Sequence, residues 1–518
     1  MTGGRREIIV VGSGFAGSIL ARILALRGRD VVLVERGRHP RFALGESSTP
    51  LASLSLERLA GRYGLEDLRH LSTHGRWKEH LPHLRRGLKR GFTFYRQAAG
   101  RPYANDAANR RRLLVAASPD DEIADVHWMR SDVDAFLVDK AVEAGVDYRP
   151  QTRLTGLRET CDGVRVTGAG PAGGVAFEAS FLVDGTGGQG FVARALPLPA
   201  EPLQGAPTRL IFGHLEGAAD FADRARAQGA TLEPGPYDDS RAAVHHLLEE
   251  GWLYLLPFDH GVVSAGLLSR GTGAPLPRQP AEAWAAILQR YPTLEACLGS
   301  ARPLRPMGQA LPIGYRRSRA VGARWLLLPH AFAFFDPLFS TGMAWSLLAV
   351  ERVAEILGAG APAEGLGSRL GRYGDLLGKE ASQICDLVEG AYLAMGDFES
   401  FCGAASLYFA AVSFQELCQR LLDAPADGWA WQGFLGATDP VSRSFVAEGR
   451  RRLGDANETP EAFGRWVRAA IGPRNVIGLC DPARRNLYPV DLGSLRDRCE
   501  LFGLSRRQLE GRLPRLRS

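Results

Sequence analysis

The sequence predicts an α/β fold, and three observations support this prediction. A strand, a glycine-rich turn, a helix and a second strand follow one another in residues 7–36. Strand-like runs recur up to about residue 270, and the apolar pattern becomes helical after about residue 343. We therefore expect a Rossmann-type domain, an inserted β-sheet domain and a helical C-terminal region.

The composition is that of an ordinary globular protein. The chain has 518 residues, of which 45% are hydrophobic and 23% are charged, and this excludes disordered, collagen-like and coiled-coil proteins. The net charge of +6 is small for this length and does not argue for a nucleic-acid partner. The seven cysteines are widely spaced without a CxxC pair, so we expect neither disulfides nor a metal site.

Neither a membrane span nor a leader is expected. No run approaches the ~18 to 20 consecutive apolar residues of a span. The first strand begins near Ile8, which leaves no room for a signal peptide. These observations predict a cytoplasmic protein.

Each part of the N-terminal unit has a physical role. Its elements are expected at residues 7–11 (strand), 18–27 (helix) and 31–34 (strand). Gly12 permits the tight turn, Gly14 lets a pyrophosphate approach the backbone, and Gly17 lets the helix pack closely on the strand. Free N–H groups at the helix start, near Ala16, bind the anion. Glu35 follows the second strand, where an acid bonds the ribose hydroxyls, so the unit predicts a dinucleotide site.

The remaining elements divide the chain into four parts. Strands are expected at residues 91–95, 179–183, 209–212, 252–257 and 262–267, and helices at 131–145, 344–357, 369–392 and 401–420. The parts are 1–200 (cofactor-binding, with inserted segments), 201–305 (β-sheet), 306–345 (return to the first domain) and 346–518 (helical). Asp184 ends a strand, and we interpret the glycine turn at 185–190 as a second cofactor contact.

Four further segments complete a recognisable set of motifs. They are Gly45–Pro50 with Glu46, Leu88–Phe94 with Lys89, Met129–Asp132 with Arg130, and Phe335–Gly342 with Asp336. Together with the N-terminal fingerprint, they resemble flavin-dependent halogenases over residues 7–345. The chain is most similar to members that act on phenols or carrier-tethered aromatics, because Phe339 stands where tryptophan halogenases have a glutamate.

The resemblance implies a fold and an activity. The fold is the FAD-binding domain of the flavin monooxygenases and halogenases. The implied enzyme receives FADH2 from a separate flavin reductase and forms a flavin hydroperoxide. Chloride or bromide then gives hypohalous acid, which halogenates an electron-rich aromatic in natural-product biosynthesis.

The resemblance also implies roles for single residues. The cofactor-binding residues are Gly12, Gly14, Ala16, Gly17, Glu35, Glu46, Arg130, Asp184, Asp336 and Gly342. The halide-binding turn is Ser340, Thr341 and Gly342, and the substrate-side wall is Trp252, Tyr254 and Phe339. Lys89 corresponds to the catalytic lysine, a compact amine that a guanidinium does not replace.

Two departures from the family pattern keep other functions open. Tyr254 stands where the family has a second tryptophan, and His330 stands where related FAD enzymes have an aspartate. The alternatives are a flavin monooxygenase or oxidase without halide chemistry and, less favoured, a non-catalytic flavoprotein that binds a carrier protein. A phenol substrate needs a base, and the sequence does not choose among His83, His127 and His260.

Overall fold

The computed structural model describes residues 5–201, 203, 205–358, 365–423 and 433–513. The strands, in chain order, are β1 (Arg6–Val11), β2 (Val31–Val34), β3 (Arg86–Lys89), β4 (Gly91–Arg96), β5 (Arg112–Ala116), β6 (Asp125–Trp128), β7 (Asp147–Arg149), β8 (Arg153–Glu159), β9 (Val164–Gly170), β10 (Gly173–Asp184), β11 (Ala200–Glu201), β12 (Arg209–Glu216), β13 (Ala243–Leu247), β14 (Gly251–Pro257), β15 (Val262–Ser269), β16 (Arg302–Pro303), β17 (Gly308–Ala310), β18 (Tyr315–Arg317), β19 (Trp325–Leu327), β20 (Ala333–Phe334) and β21 (Leu487–Tyr488).

The helices, in chain order, are α1 (Phe15–Leu26), α2 (Pro50–Tyr63), α3 (Glu66–His70), α4 (His74–His80), α5 (Arg130–Glu143), α6 (Phe191–Ala195), α7 (Phe221–Ala227), α8 (Pro280–Arg290), α9 (Pro292–Leu298), α10 (Pro329–Phe332), α11 (Thr341–Leu357), α12 (Leu366–Ala394), α13 (Phe398–Leu421), α14 (Pro440–Leu453), α15 (Pro460–Ile471), α16 (Leu492–Asp497) and α17 (Arg506–Arg512).

The first sheet carries the nucleotide-binding unit. Its strand order is β7-β2-β1-β10-β9-β8, and β19 also pairs with β10. The pairs of β1 with β2 and β10, and of β2 with β7, are parallel, as in doubly wound folds. Because α1 follows β1 directly, the glycine turn lies at the carboxyl end of this sheet, where such folds bind ligands.

Two glycines allow the backbone to pack closely at this edge. Gly12 has φ +97°, and a Cβ there would lie 2.7 Å from the Gly185 carbonyl oxygen. A Cβ on Gly17 would lie 2.0 Å from the Gly12 oxygen. Side chains are therefore excluded at both positions, and the first turn packs directly against the second turn of the sheet.

The second sheet supplies the wall opposite the first. Its strand order is β16-β12-β15-β14-β13-β4-β5-β21, with β17 also paired with β12. β13 joins β4 in parallel, so a strand from the first hundred residues enters a sheet built mainly from residues 209–269. A separate antiparallel pair, β3 with β6, places Lys89 directly opposite Asp125.

Helix α11 links the sheets to the C-terminal helices. Nearly all its residues are buried, and it packs against α1, α2 and α12. On its inner side Arg352 and Trp345 both donate to the buried carboxylate of Glu380 on α12, which also accepts from the backbone N–H of Phe434. This cluster fixes α11 against the helical region.

Helix α13 is the one described helix that is both long and strongly apolar. Its 24 residues, Phe398–Leu421, are long and apolar enough to cross a membrane by length and composition alone. However, 61% of its most apolar window is buried inside the protein, as in the core helix of a globular domain. One such helix is weak evidence for a membrane span, and most of the apolar window of α13 packs inside the protein.

Helix boundaries were less predictable than helix positions. Helix α1 begins at Phe15 rather than at residue 18, because Gly14 is already its N-terminal cap. The expected helices at residues 131–145, 344–357, 369–392 and 401–420 correspond to α5, α11, α12 and α13. Helices α2, α14 and α15 were not predicted from the sequence.

Candidate active site

The glycine turn forms a cradle for an anionic group. Gly14 has ordinary backbone angles, φ −70° and ψ 170°, and the nearest atom to a Cβ built there is Nη2 of Arg130, at 3.5 Å. The guanidinium of Arg130 is held by both oxygens of Asp134 and by the carbonyl of Leu44. A fixed cation and the free N–H groups of the first turn of α1 therefore face the same space.

Glu35 lies next to this turn, as predicted, with its carboxylate already hydrogen-bonded. Oε2 accepts from the backbone N–H and hydroxyl of Ser13, both at 3.1 Å, and Oε1 accepts from Gly37 N–H. Burial opposes ionisation, but the charge of Arg41 and these donors lower the pKa of Glu35 below its usual value. Glu35 is therefore an anion that ties the second strand to the glycine turn.

Asp184 organises the second turn. Its carboxylate accepts from the N–H and hydroxyl of Thr186 and from the N–H of Val192 at 2.7 Å. Burial raises the pKa of Asp184. The turn itself uses both oxygens, so the side chain shapes the backbone that faces Gly12. The cofactor contact of Asp184 stays a prediction.

An inner cavity of about 180 Å³ gathers most of the other predicted residues. Those in its wall are Glu46, Trp252, Tyr254, Asp336, Ser340, Thr341 and Gly342. They come from segments far apart in sequence, and His245 and His330 join them. Of the residues predicted for the halide-binding turn and the substrate-side wall, only Phe339 is not in the lining of this cavity.

The start of α11 points into the inner cavity. Ser340 caps the helix in the left-handed region, with φ 50°, and its hydroxyl donates to the hydroxyl of Ser47. The first N–H groups of a helix have no intrahelical partner and carry the positive end of its dipole. A Cβ on Gly342 would lie 2.8 Å from the His330 ring, so a residue without a side chain is required there. This arrangement suits a small anion.

A hydrogen-bond chain fixes the aromatic wall of the cavity. The indole N–H of Trp252 donates to the hydroxyl of Tyr392 at 3.0 Å, and that hydroxyl donates to Asp336 at 2.7 Å. Burial raises the pKa of Asp336 to about 7. The rings of Trp252 and Tyr254 lie 5.9 Å apart, so a large aromatic surface remains despite the tyrosine substitution.

Lys89 is completely buried and lies outside the lining of the inner cavity. Its ammonium donates to the Ser48 carbonyl at 2.5 Å and lies 4.1 Å from the centroid of the Phe92 ring. Burial lowers the pKa of Lys89, and the nearby Asp125 carboxylate works against this effect. The side chain is therefore an amine that is shielded from water and has few hydrogen-bond partners. Such an environment favours chemical reactivity over solvation of the charge.

A second, outer cavity of about 640 Å³ lies on the other side of Lys89. Phe92, Asp125, Tyr408 and Phe409 line it, together with residues of the C-terminal segment. Phe339 stacks on Tyr408, with ring centroids 4.4 Å apart, so it backs the wall of this cavity. Ser47 lines the inner cavity and Pro50 the outer one, so Lys89, bonded to Ser48, lies in the partition between them.

The three histidines left open by the sequence do not line either cavity. His127 is completely buried, and burial together with the charge of Lys89 lowers its pKa to about 3. Sequence reasoning missed Asp125 and His245, which do line the cavities. The sequence holds no signal for Asp125, because its position opposite Lys89 depends on the pairing of two strands far apart in the chain.

The chain is similar to known proteins in sequence and in fold. Residues 5–228 match the model of the FAD binding domain family. The tetracycline 7-halogenase of Kitasatospora aureofaciens is 31% identical over 352 residues, which are 65% of this chain and 60% of that relative. The monodechloroaminopyrrolnitrin halogenase PrnC of Pseudomonas fluorescens is 28% identical over 356 residues, which are 67% of this chain and 60% of that relative. The chain therefore resembles flavin-dependent halogenases in sequence.

The similarity in fold extends through the helical region. The crystal structure of halogenase PltM in complex with phloroglucinol and FAD superposes with a TM-score of 0.82 at 22% identity, covering 93% of this chain and 99% of that one. The match to the two sequence relatives spans 60% of their length. The predictions of an α/β fold with a helical C-terminal region, and of FAD as cofactor, are confirmed.

The glycine cradle yields a first testable prediction. Gly14→Val should fold normally, since its backbone angles suit any residue and no protein atom is closer than 3.5 Å to the new Cβ. The side chain would occupy the space of the pyrophosphate, so we expect FAD affinity to fall at least about tenfold, or 1.4 kcal/mol. Quenching of flavin fluorescence measures the affinity.

Gly174→Val is the matched control, because a Cβ at Gly174 meets no atom within 4 Å. This variant should bind FAD like the wild type. Unchanged affinity in Gly14→Val would show that the pyrophosphate binds elsewhere.

Proposed function

We propose that this protein is a FADH2-dependent halogenase acting on an electron-rich aromatic compound, phenolic or carrier-tethered. The observation that carries the proposal is the position of Lys89 in the partition between two cavities. One cavity contains the start of α11 and the aromatic wall, and the other is open and aromatic. Bound reduced FAD would supply the oxygen activation that converts halide into hypohalous acid.

The residues of the inner cavity would hold the cofactor ring and the halide. The backbone N–H groups of Thr341 and Gly342 would bind chloride or bromide there. Outside this cavity, Gly14 and Arg130 would bind the pyrophosphate end, in a turn that Gly12 and Gly17 allow to pack closely. Trp252 and Tyr254 exclude water from the ring, and the bond from Trp252 to Tyr392 keeps this wall in place.

Lys89 would act after hypohalous acid has formed. Its ammonium donates to the oxidant or carries the halogen, and it directs the halogen toward the outer cavity. Phe92, Tyr408 and Phe409 offer aromatic faces to a flat substrate in that cavity. The volume of about 640 Å³ lies in the range of ligand sites for drug-sized molecules.

The test is a reconstituted reaction. The protein is incubated with FAD, a flavin reductase, NADH, and chloride or bromide on a panel of electron-rich phenols, and products are analysed by mass spectrometry. The proposal expects products with the isotope pattern of the added halogen, and none when halide is omitted. Oxygenated products without halide would instead support the alternative, a flavin monooxygenase.

The source of electrons gives a second testable prediction. No second nucleotide-binding fingerprint is apparent in the sequence, so we expect the isolated protein to oxidise NADH or NADPH no faster than free FAD does. Addition of a flavin reductase should start turnover, because reduced flavin then reaches the site by diffusion. Absorbance at the NADH band measures the rate.

The control is the same reductase with the halogenase omitted, which should consume NADH without halogenated product. Rapid NADPH consumption by the isolated chain would contradict the need for a partner. We propose that this reductase is a separate cytoplasmic protein.

A further inference from the structure

A carboxylate in the outer cavity lacks a partner for one of its oxygens. Asp125 is only 3% exposed, and its Oδ1 accepts from the hydroxyl of Ser53 at 3.2 Å. Its Oδ2 is buried and has no hydrogen-bond partner among the described residues. A buried acceptor without a donor is costly, so it indicates that a ligand or a reacting group supplies the donor.

The same carboxylate faces the catalytic lysine candidate. Asp125 on β6 and Lys89 on β3 are directly paired across the two-stranded ladder. They form no direct ion pair: the ammonium donates to the Ser48 carbonyl instead. A donor and an acceptor thus stand directly opposite each other on one face of the ladder, and the acceptor lines the outer cavity.

Lys89 and Asp125 are both buried, and the titratable groups near them are few. Glu416 and Arg420 of α13 also line the outer cavity, and they form an ion pair with each other. His127, on the same strand as Asp125, carries no charge near neutral pH, because its pKa is lowered to about 3. Burial raises the pKa of Asp125, which makes its carboxylate a stronger base than an exposed one.

We propose that Asp125 is the base that removes the ring proton during halogenation, with Lys89 as the paired acid. This inference rests on the proposed halogenase function and adds to it the second reacting group. It assigns the role to a residue that neither the sequence motifs nor the family resemblance indicated.

The proposed step is balanced in atoms and charge. The ring carbon forms a bond to the halogen of hypohalous acid while the halogen–oxygen bond breaks, and the leaving hydroxide takes a proton from the Lys89 ammonium to become water. The ring C–H bond then breaks, its electrons restore the aromatic system, and its proton goes to Oδ2 of Asp125. The carboxylic acid returns this proton to the amine through the new water. The sum is ring plus hypohalous acid giving halogenated ring plus water.

The test compares Asp125→Asn with the wild type on a phenol that carries deuterium at the halogenated carbon. FAD affinity and oxygen consumption from reduced flavin should be unchanged in the variant. Halogenation should slow by about 10²- to 10⁴-fold, the usual contribution of a positioned base. A primary deuterium effect should appear in the variant and be absent in the wild type, because proton removal becomes rate-limiting only without the base.

Several results would overturn the proposal. A halogenation rate near that of the wild type excludes Asp125 as the base. A slow variant without a deuterium effect assigns Asp125 a structural role as counter-charge to Lys89. Asp223→Asn, an exposed aspartate on α7, is the control and should behave like the wild type.

A second variant covers the case in which Asp125→Asn does not fold. Asp125→Ala leaves space for a small carboxylate, so added formate should restore product, and failure of this rescue also contradicts the role of Asp125.

A wild-type protein that halogenates no member of the panel would refute the proposed function itself, and the role of Asp125 with it. That outcome is distinguishable because it does not depend on any Asp125 variant.

Discussion

Lys89→Arg should abolish halogenation while leaving flavin chemistry intact. The ammonium is fully buried, donates to the Ser48 carbonyl and lies over the Phe92 ring, with no space for a larger planar group. Arginine keeps the charge but offers neither a compact donor nor a nitrogen that accepts a halogen at neutral pH. We expect product formation to fall by about 10²- to 10⁴-fold, in line with loss of a positioned acid.

The measurement separates the two halves of the reaction. Oxygen consumption from reduced flavin and FAD affinity should match the wild type, and halogenated product should be missing by mass spectrometry. Lys89→Ala should behave in the same way. Lys78→Arg, an exposed lysine on α4, is the matched control and should retain full activity.

The opposite outcome has a clear meaning. If Lys89→Arg halogenates at nearly the wild-type rate, only the positive charge matters at this position. Lys89 would then neutralise Asp125 rather than handle the halogen, and the proposed mechanism would be wrong.

Local sequence patterns predicted the parts of the fold that depend on neighbours along the chain. The first βαβ unit was predictable because Gly12, Gly14 and Gly17 are spaced for one turn between a buried strand and an apolar helix. Helices α11 to α13 were predictable from their long apolar periodicity. Helix α2 was missed, although Pro50 at its start and the left-handed Gly64 at its end are ordinary helix signals. The arginine-rich sequence around α2 made these helix signals harder to recognise.

The candidate site was predictable only in part, for a physical reason. Motif residues such as Glu46, Asp336 and Thr341 line one cavity, because each motif occupies a fixed place in the fold. The relation between Lys89 and Asp125 depends on the register of β3 against β6, which no local pattern specifies. The outer cavity also requires α13 and the C-terminal segment, whose packing brings Tyr408 next to Phe92.

Glu380→Ala should cause the largest loss of stability among single substitutions in the helical region. Glu380 and Arg352 are fully buried, and the carboxylate accepts from Arg352, Trp345 and the Phe434 backbone. Removing it takes the Glu380 carboxylate away from a buried guanidinium, and breaking a buried pair typically costs about 3–5 kcal/mol. The midpoints of urea and thermal unfolding, followed by circular dichroism, should both fall.

Glu380→Ala should also disturb the active site. Arg352 and Trp345 lie on α11, the helix whose first turn forms the proposed halide site. Glu448→Ala removes a solvent-exposed pair with Arg451 on α14 and should cost about 1 kcal/mol or less. The double variant Glu380→Leu with Arg352→Met should recover much of the loss, since it removes both buried charges together. If Glu380→Ala unfolds at the wild-type midpoint, the cluster does not hold α11 in place, and the geometry of the Ser340–Gly342 turn must depend on its contacts with Ser47 and His330 instead.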